Sequence, residues 1–157
     1  MISHEKAGRG QTQTLIERWY REVWAEGREE SIFEMMHPRA EILGIGTVPI
    51  FGPEEFLPFW KIVRENYSDL NIAIDDLLLE KDQGVALITT YATRVVGGQA
   101  VEMRGAVYFR FDNGLLVYGR NVLDYLAILG QSGVLDLDIH DALFPIQARG
   151  PESEDQT

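Results

Sequence analysis

The sequence predicts an α+β fold: a cone-shaped, curved antiparallel sheet packed against three helices. Three observations predict it. Apolar residues in the first half recur at spacings of three and four, the period of a helix. In the second half the pattern changes to the alternation of strands. The turns between those strands are short and contain glycine, so neighbouring strands run antiparallel. A chain of 157 residues that is 45% apolar can bury one core without disulfides or a metal, and the absence of cysteine removes disulfides, thiolate catalysis and Cys-based zinc sites.

Leu15, Ile16, Trp19, Tyr20, Val23 and Trp24 form the first apolar stripe, a helix of about four turns ending near Gly27. A shorter helix reads from Glu29 to about Met36, with Ile32, Phe33 and Met36 inward and Pro38 as its stop. Ala40 to Gly46 is a short strand, and Thr47 to Phe51 is a loop or a second edge strand. Gly52-Pro53-Glu54-Glu55 opens a third helix, with proline in the first turn and two acids near its positive end. Phe56, Phe59, Trp60 and Val63 supply its stripe, which ends near Tyr67.

Four strands follow: Leu70 to Glu80, Val85 to Val96, Ala100 to Phe111 and Leu115 to Leu123. Lys81-Asp82-Gln83-Gly84, Gly97-Gly98 and Asp112-Asn113-Gly114 join them. Asp124 can cap a last helix from Tyr125 to Leu129. A sheet of this length curls over the helices and leaves a pocket between its concave face and the first helix. The chain divides into a polar leader (1–11), a domain (12–134), an extension that could be a lid or dimer contact (135–150) and a disordered acidic tail (151–157).

The formal net charge of −11, with no cluster of Lys and Arg, argues against a nucleic-acid partner. No apolar run approaches the ~20 residues that span a bilayer, and no signal-peptide pattern opens the chain. The expected location is the cytoplasm. His4, His37 and His140 are dispersed, so no metal is expected, and His37 is read as fixing the turn before Pro38. Asp75, Asp76 and Glu80 read as a solvated outer face.

Four segments carry a family resemblance. They are Met36-His37-Pro38-Arg39, Phe51-Gly52-Pro53-Glu54, Phe109-Arg110-Phe111-Asp112-Asn113-Gly114-Leu115-Leu116-Val117, and Asp124-Tyr125-Leu126-Ala127-Ile128-Leu129-Gly130-Gln131-Ser132-Gly133. In order and spacing they resemble the SnoaL-like polyketide cyclases over roughly residues 12–134. That resemblance implies the nuclear-transport-factor-two-like (cystatin-like) fold, shared with ketosteroid isomerases, limonene epoxide hydrolases and phenazine-biosynthesis proteins. The fold by itself does not specify a function.

The resemblance also implies where chemistry would sit. The cyclase acid/base aspartate falls at Asn121, an amide that cannot exchange a proton near neutral pH. The cyclase histidine falls at about Val107. The isomerase base falls near Gly44, its protonated acid also near Val107, and its tyrosine at Tyr20. The epoxide hydrolase arginine and aspartate fall at about Thr89 and Tyr91. Asn121 and Tyr20 are therefore the candidate catalytic residues, holding or polarising a carbonyl, with core packing and protein-satisfied hydrogen bonds as the competing roles.

The candidate ligand-binding set is Trp24, Trp60, Thr89, Tyr91, Met103, Val107 and Leu123. The tryptophans could equally be core, and the Thr89–Tyr91–Thr93 face is polar either because it lines the pocket or because it is exposed. No cofactor is expected. The expected partners are a small hydrophobic carbonyl compound and a second copy of the chain, paired through the convex sheet face where Arg104, Arg110 and Arg120 lie. The candidate reaction is a cofactor-free cyclisation, isomerisation or dehydration. A non-catalytic binding module and a dimeric interaction domain with a filled core are the alternatives.

Overall fold

The first apolar stripe does form a helix, and its backbone begins well before its apolar residues. In the computed structural model, which describes residues 2–134, helix α1 spans Ile2–Arg18 and so includes the polar leader. The extension 135–150 and the tail 151–157 lie outside the described residues. Arg9 explains part of the early start, since it donates from Nε and Nη2 to the carbonyl of Leu79 at 3.0 and 2.7 Å. Thr12 adds a hydrogen bond to the carbonyl of Lys81 at 2.7 Å. The leader is thus fastened to a strand hairpin by polar contacts, which apolar periodicity does not report.

From Trp19 to Ala25 the helix widens into π geometry. In an α-helix Trp19 and Trp24 would point about 140° apart. The looser i→i+5 turn instead lets Trp19, Tyr20, Val23 and Trp24 all be buried on one side. Helix α2 (Glu29–Met35) turns inward with Ser31, Ile32 and Met35, while Phe33 is 46% exposed, contrary to its assignment as core. The helix is too short to present a broader face.

Glu22 ties α1 to α2. Its side chain is only 9% exposed and receives Nε of Arg18 at 2.8 Å and the fully buried Ser31 hydroxyl at 2.8 Å, with Arg28 at 3.6 Å. These partners, Arg18 first, pull its carboxyl down to about 2.

Strand β1 (Met36–Leu43) begins directly at the end of α2, so His37 and Pro38 lie in a strand and not in a turn. Proline forces the preceding residue toward extended geometry, and the ladder is irregular between Met36 and Glu41, which accommodates the missing N–H. Nδ1 of His37 accepts the backbone N–H of Arg39 at 3.0 Å, a local role within that irregularity. The two-residue β2 (Ile50–Phe51) pairs with β1, and α3 (Gly52–Asn66) follows as expected.

The four long strands are β3 (Tyr67–Glu80), β4 (Gln83–Arg94), β5 (Ala100–Asp112) and β6 (Leu115–Leu123). They form the expected antiparallel meander. The whole sheet has six strands in the order β2-β1-β6-β5-β4-β3, and β1 runs parallel to β6. Because β1 closes against the last strand, segments distant in sequence meet at one wall. At the end of β1, Gly44 adopts φ +78°, and a Cβ there would stand 1.9 Å from the backbone oxygen of Asn121. Only glycine allows that approach.

The short helix α4 (Tyr125–Gln131) is capped by Oδ1 of Asp124, which accepts the N–H of Ala127 at 3.0 Å. None of its residues is buried, and polar contacts hold it in place. The Gln131 amide pairs with both backbone groups of Glu102, at 2.7 and 2.8 Å. The Tyr125 hydroxyl donates to the carbonyl of Ile45 at 3.1 Å. These contacts give a physical role to two residues of the terminal motif. No helix among the described residues is long and apolar enough to cross a membrane.

Candidate functional site

Alternation along the strands decides which side chains meet inside the cone. Ile88, Thr90 and Ala92 of β4 face inward, as do Met103 and Val107 of β5 and Asn121 and Leu123 of β6. Trp19, Tyr20 and Trp24 form the opposite wall from the π segment, and Phe56, Phe59 and Val63 of α3 extend it. Tyr125 and Ile128 of α4 and Tyr67 and Ile72 of β3 add to the lining. Together they surround a cavity of about 240 Å³. Its walls are almost wholly apolar, and among the described residues no Asp, Glu, His, Lys or Arg lines it.

Of the candidate residues, Asn121, Tyr20, Trp24, Met103, Val107 and Leu123 meet at this cavity. Three do not. Thr89 points to the opposite face of β4 and donates to Oδ2 of Asp75 at 2.6 Å. Tyr91 shares that outer face and is 45% exposed. Trp60 is core, with Nε1 donating to the carbonyl of Val23 at 2.9 Å. The polar threonine–tyrosine face is therefore the outer one. Thr90, between them, supplies the inward hydroxyl that alternation could have identified once β4 was assigned a facing.

Asn121 is half-buried, and its Nδ2 donates to the carbonyl of Leu43 at 2.8 Å across the parallel β1–β6 pair. One amide hydrogen is thereby committed to the protein. Oδ1 and the second hydrogen remain for a ligand.

Tyr20 is 6% exposed, and its hydroxyl has no hydrogen-bond partner among the described residues. No described side-chain polar atom is both sealed and unpartnered, so this hydroxyl opens onto the cavity. Burial pushes its ionisation far above the ordinary tyrosine range, keeping it a neutral donor. Tyr125 is pushed up for the same reason.

The arrangement can hold and polarise a neutral oxygen function. Among the described lining residues there is no carboxylate or imidazole to take a proton and return it. Among the described residues no group of His, Cys, Asp and Glu could hold a metal. Asp75, Asp76 and Glu80 are exposed on the outer face, where the sequence placed them.

Comparison with known proteins agrees with this architecture. TsrD from Streptomyces laurentii superposes with a TM-score of 0.70 at 23% identity, covering 81% of this chain and 98% of that one. IdmH from Streptomyces antibioticus gives 0.70 at 22% identity, covering 78% and 99%. A protein with a ketosteroid isomerase-like fold from Catenulispora acidiphila, in complex with trimethylamine, gives 0.68 at 12% identity, covering 76% and 92%. At these identities the likeness establishes the fold. No functionally curated protein matches significantly. The model of the SnoaL-like polyketide cyclases matches residues 14–132, and the chain belongs to that family.

Proposed function

We propose that the cavity binds a small, neutral, hydrophobic carbonyl compound and orients it for cofactor-free ring closure or isomerisation. The observation that carries this reading is an apolar cavity whose polar groups are all uncharged hydrogen-bonding groups. An ionised ligand would have to leave water for a site that offers it no counter-charge. A ketone oxygen, in contrast, can take a hydrogen bond from the Tyr20 hydroxyl or from the Asn121 amide, both of which line the cavity. At an interior packing density of about 0.74, the cavity holds a molecule of roughly two or three fused rings.

Catalysis here rests on orientation. In an intramolecular aldol closure, an enol carbon of the substrate forms a bond to a second carbonyl carbon. The π bond of the second carbonyl breaks as that bond forms, and the enol proton ends on its oxygen, which stays on the carbon as a hydroxyl. Holding the two carbons at reacting distance accelerates such a step without a strong base. Binding without turnover is the second reading, favoured by the absence of a carboxylate or imidazole from the described lining.

The test is thermal unfolding in the presence of neutral fused-ring ketones and of matched carboxylates. A ketone at about 100 times its Kd should add about 2.7 kcal/mol, while the carboxylates add nothing. Asn121→Leu and Tyr20→Phe should each weaken binding by roughly tenfold with an unchanged circular dichroism spectrum, and Asn121→Leu should abolish any turnover. Equal shifts with ketones and carboxylates would overturn the reading.

A second copy of the chain is the proposed protein partner. The convex face exposes Leu78, Leu87, Tyr91 and Val122, and the register Leu87↔Ala106↔Val122 makes an apolar row across three strands. The face is acidic along β3, at Asp75, Asp76 and Glu80, and basic at Arg104, Arg110 and Arg120. A two-fold pairing can set each acidic edge against the partner's basic edge. Val122→Arg should then convert a dimer to a monomer in light scattering. An unchanged mass for that variant would rule out this face as the contact.

A further inference from the structure

Thr90 stands apart from the other polar residues of the cavity. Its neighbours in register are Ile72 on β3 and Met103 on β5, both cavity-lining, so its side chain projects into an apolar surround. Thr89 beside it gives its hydroxyl to Asp75, whereas the Thr90 hydroxyl has no partner among the described residues. A hydroxyl at this position is unexpected beside Ile72, Ile88, Ala92 and Met103, since valine has nearly its shape and no desolvation penalty.

Its position relative to Asn121 is informative. Asn121 pairs with Val107, and Thr90 pairs with Met103 of the same strand. The two polar groups therefore sit four residues apart along β5, about 13 Å, and on opposite sides of it. They are also separated by the two strand spacings between β4 and β6, so one oxygen of a ligand cannot reach both. Two separate hydrogen-bonding points, with apolar wall between them, match a ligand with a polar function at each end.

We infer that Thr90 is a second anchor in the cavity, selecting neutral fused-ring ketones that carry a hydroxyl or second carbonyl at the end remote from the first. This inference rests on the cavity being a ketone site, and it adds the specificity element to it. The first carbonyl lies toward Tyr20 and Asn121. The remote oxygen lies against Thr90, which can donate or accept.

The experiment uses the full chain and two probes. One is fluorenone, a planar tricyclic ketone; the other is fluorenone with a hydroxyl at the ring position farthest from its carbonyl. Affinities are measured by calorimetry for wild type and for Thr90→Val, Thr90→Ser and Tyr67→Phe. The wild type should prefer the hydroxylated probe by about tenfold, the worth of one buried hydrogen bond. Thr90→Val should lose that preference while binding fluorenone as before, and Thr90→Ser should retain it. The unchanged affinity for fluorenone shows that the variant is folded.

If fluorenone and its hydroxyl derivative bind wild type and Thr90→Val with the same ratio, the anchor is overturned and the ketone site stands. Tyr67 also lines the cavity from the start of β3. Loss of preference in Tyr67→Phe and not in Thr90→Val would reassign the anchor and refute the role of Thr90. If neither probe binds the wild type, the ketone site fails and Thr90 with it.

Discussion

Replacing Glu22 with alanine is expected to lower stability by roughly 3 kcal/mol, a large share of the ~5–15 kcal/mol typical of a domain. Two losses add. The Ser31 hydroxyl, with no solvent exposure, is left without its acceptor, which costs about 1–3 kcal/mol. The charged hydrogen bond from Arg18 at 2.8 Å is lost as well. Arg18, Arg21 and Arg28 are partly exposed and can turn to water, which keeps the penalty below that of a fully buried ion pair.

Acid should reproduce part of this effect. The folded carboxyl titrates at about 2 against an ordinary value of 4.5, so it binds protons less readily than in the unfolded chain. Its contribution is therefore complete above pH 4.5 and fades as the pH falls toward 2, on the order of 2 kcal/mol in all. Glu22→Gln keeps an acceptor for Ser31 but has no charge to lose. Urea unfolding at neutral pH and near pH 3 should show the gap between wild type and Glu22→Gln closing in acid. A gap that stays constant would mean that the carboxylate charge does not stabilise the fold.

The residues that made the fold legible are those whose signal is local. The stripe of Trp19, Tyr20, Val23 and Trp24, the hairpin turns around Gly97-Gly98 and Asn113-Gly114, and the Asp124 cap each act within a few residues; helix, hairpins and cap all form there, though the stripe takes π geometry and the Gly97-Gly98 connection runs from Val95 to Gln99. The features that the sequence did not reveal depend on distant partners. Arg9 and Thr12 hold the polar leader helical only because the β3–β4 turn lies beside them. The His37-Pro38 pair reads as a stop, yet β6 draws it into a parallel strand that local pattern cannot foresee.

The site divides in the same way. Asn121, Val107 and Tyr20 were found through the family positions, and the structure brings them to one cavity. Thr89 and Tyr91 were chosen from a strand face whose direction the sequence left open. A shift of one residue reverses every side chain on a strand, and Thr90 rather than its neighbours faces inward. Trp60 failed for another reason. Its indole N–H needs a buried acceptor, and the Val23 carbonyl at 2.9 Å draws it into the helix interface.

Asn121→Asp should give the cavity the carboxyl that its described lining lacks, and the geometry fixes how. The amide nitrogen now donates to the Leu43 carbonyl at 2.8 Å. A carboxylate in that place would set one acceptor against another, whereas a protonated carboxylic acid keeps the hydrogen bond. The apolar walls also disfavour the charged form, so both effects raise the pKa of the new aspartate. With a folded value above the unfolded ~3.9, the variant should match wild-type stability in acid. It should lose ground as the pH rises toward the folded value, and stay lower by a fixed amount above it. Turnover of a bound ketone should follow the same titration, because this acid can deliver and recover a proton where the amide cannot. Stability and rate are thus two readings of one proton. A pH-independent stability difference would show that residue 121 does not face the Leu43 carbonyl in the cavity. The expected stability curve with no gain in rate would leave the carboxyl in place and make orientation, not proton transfer, the limit on what this cavity can do.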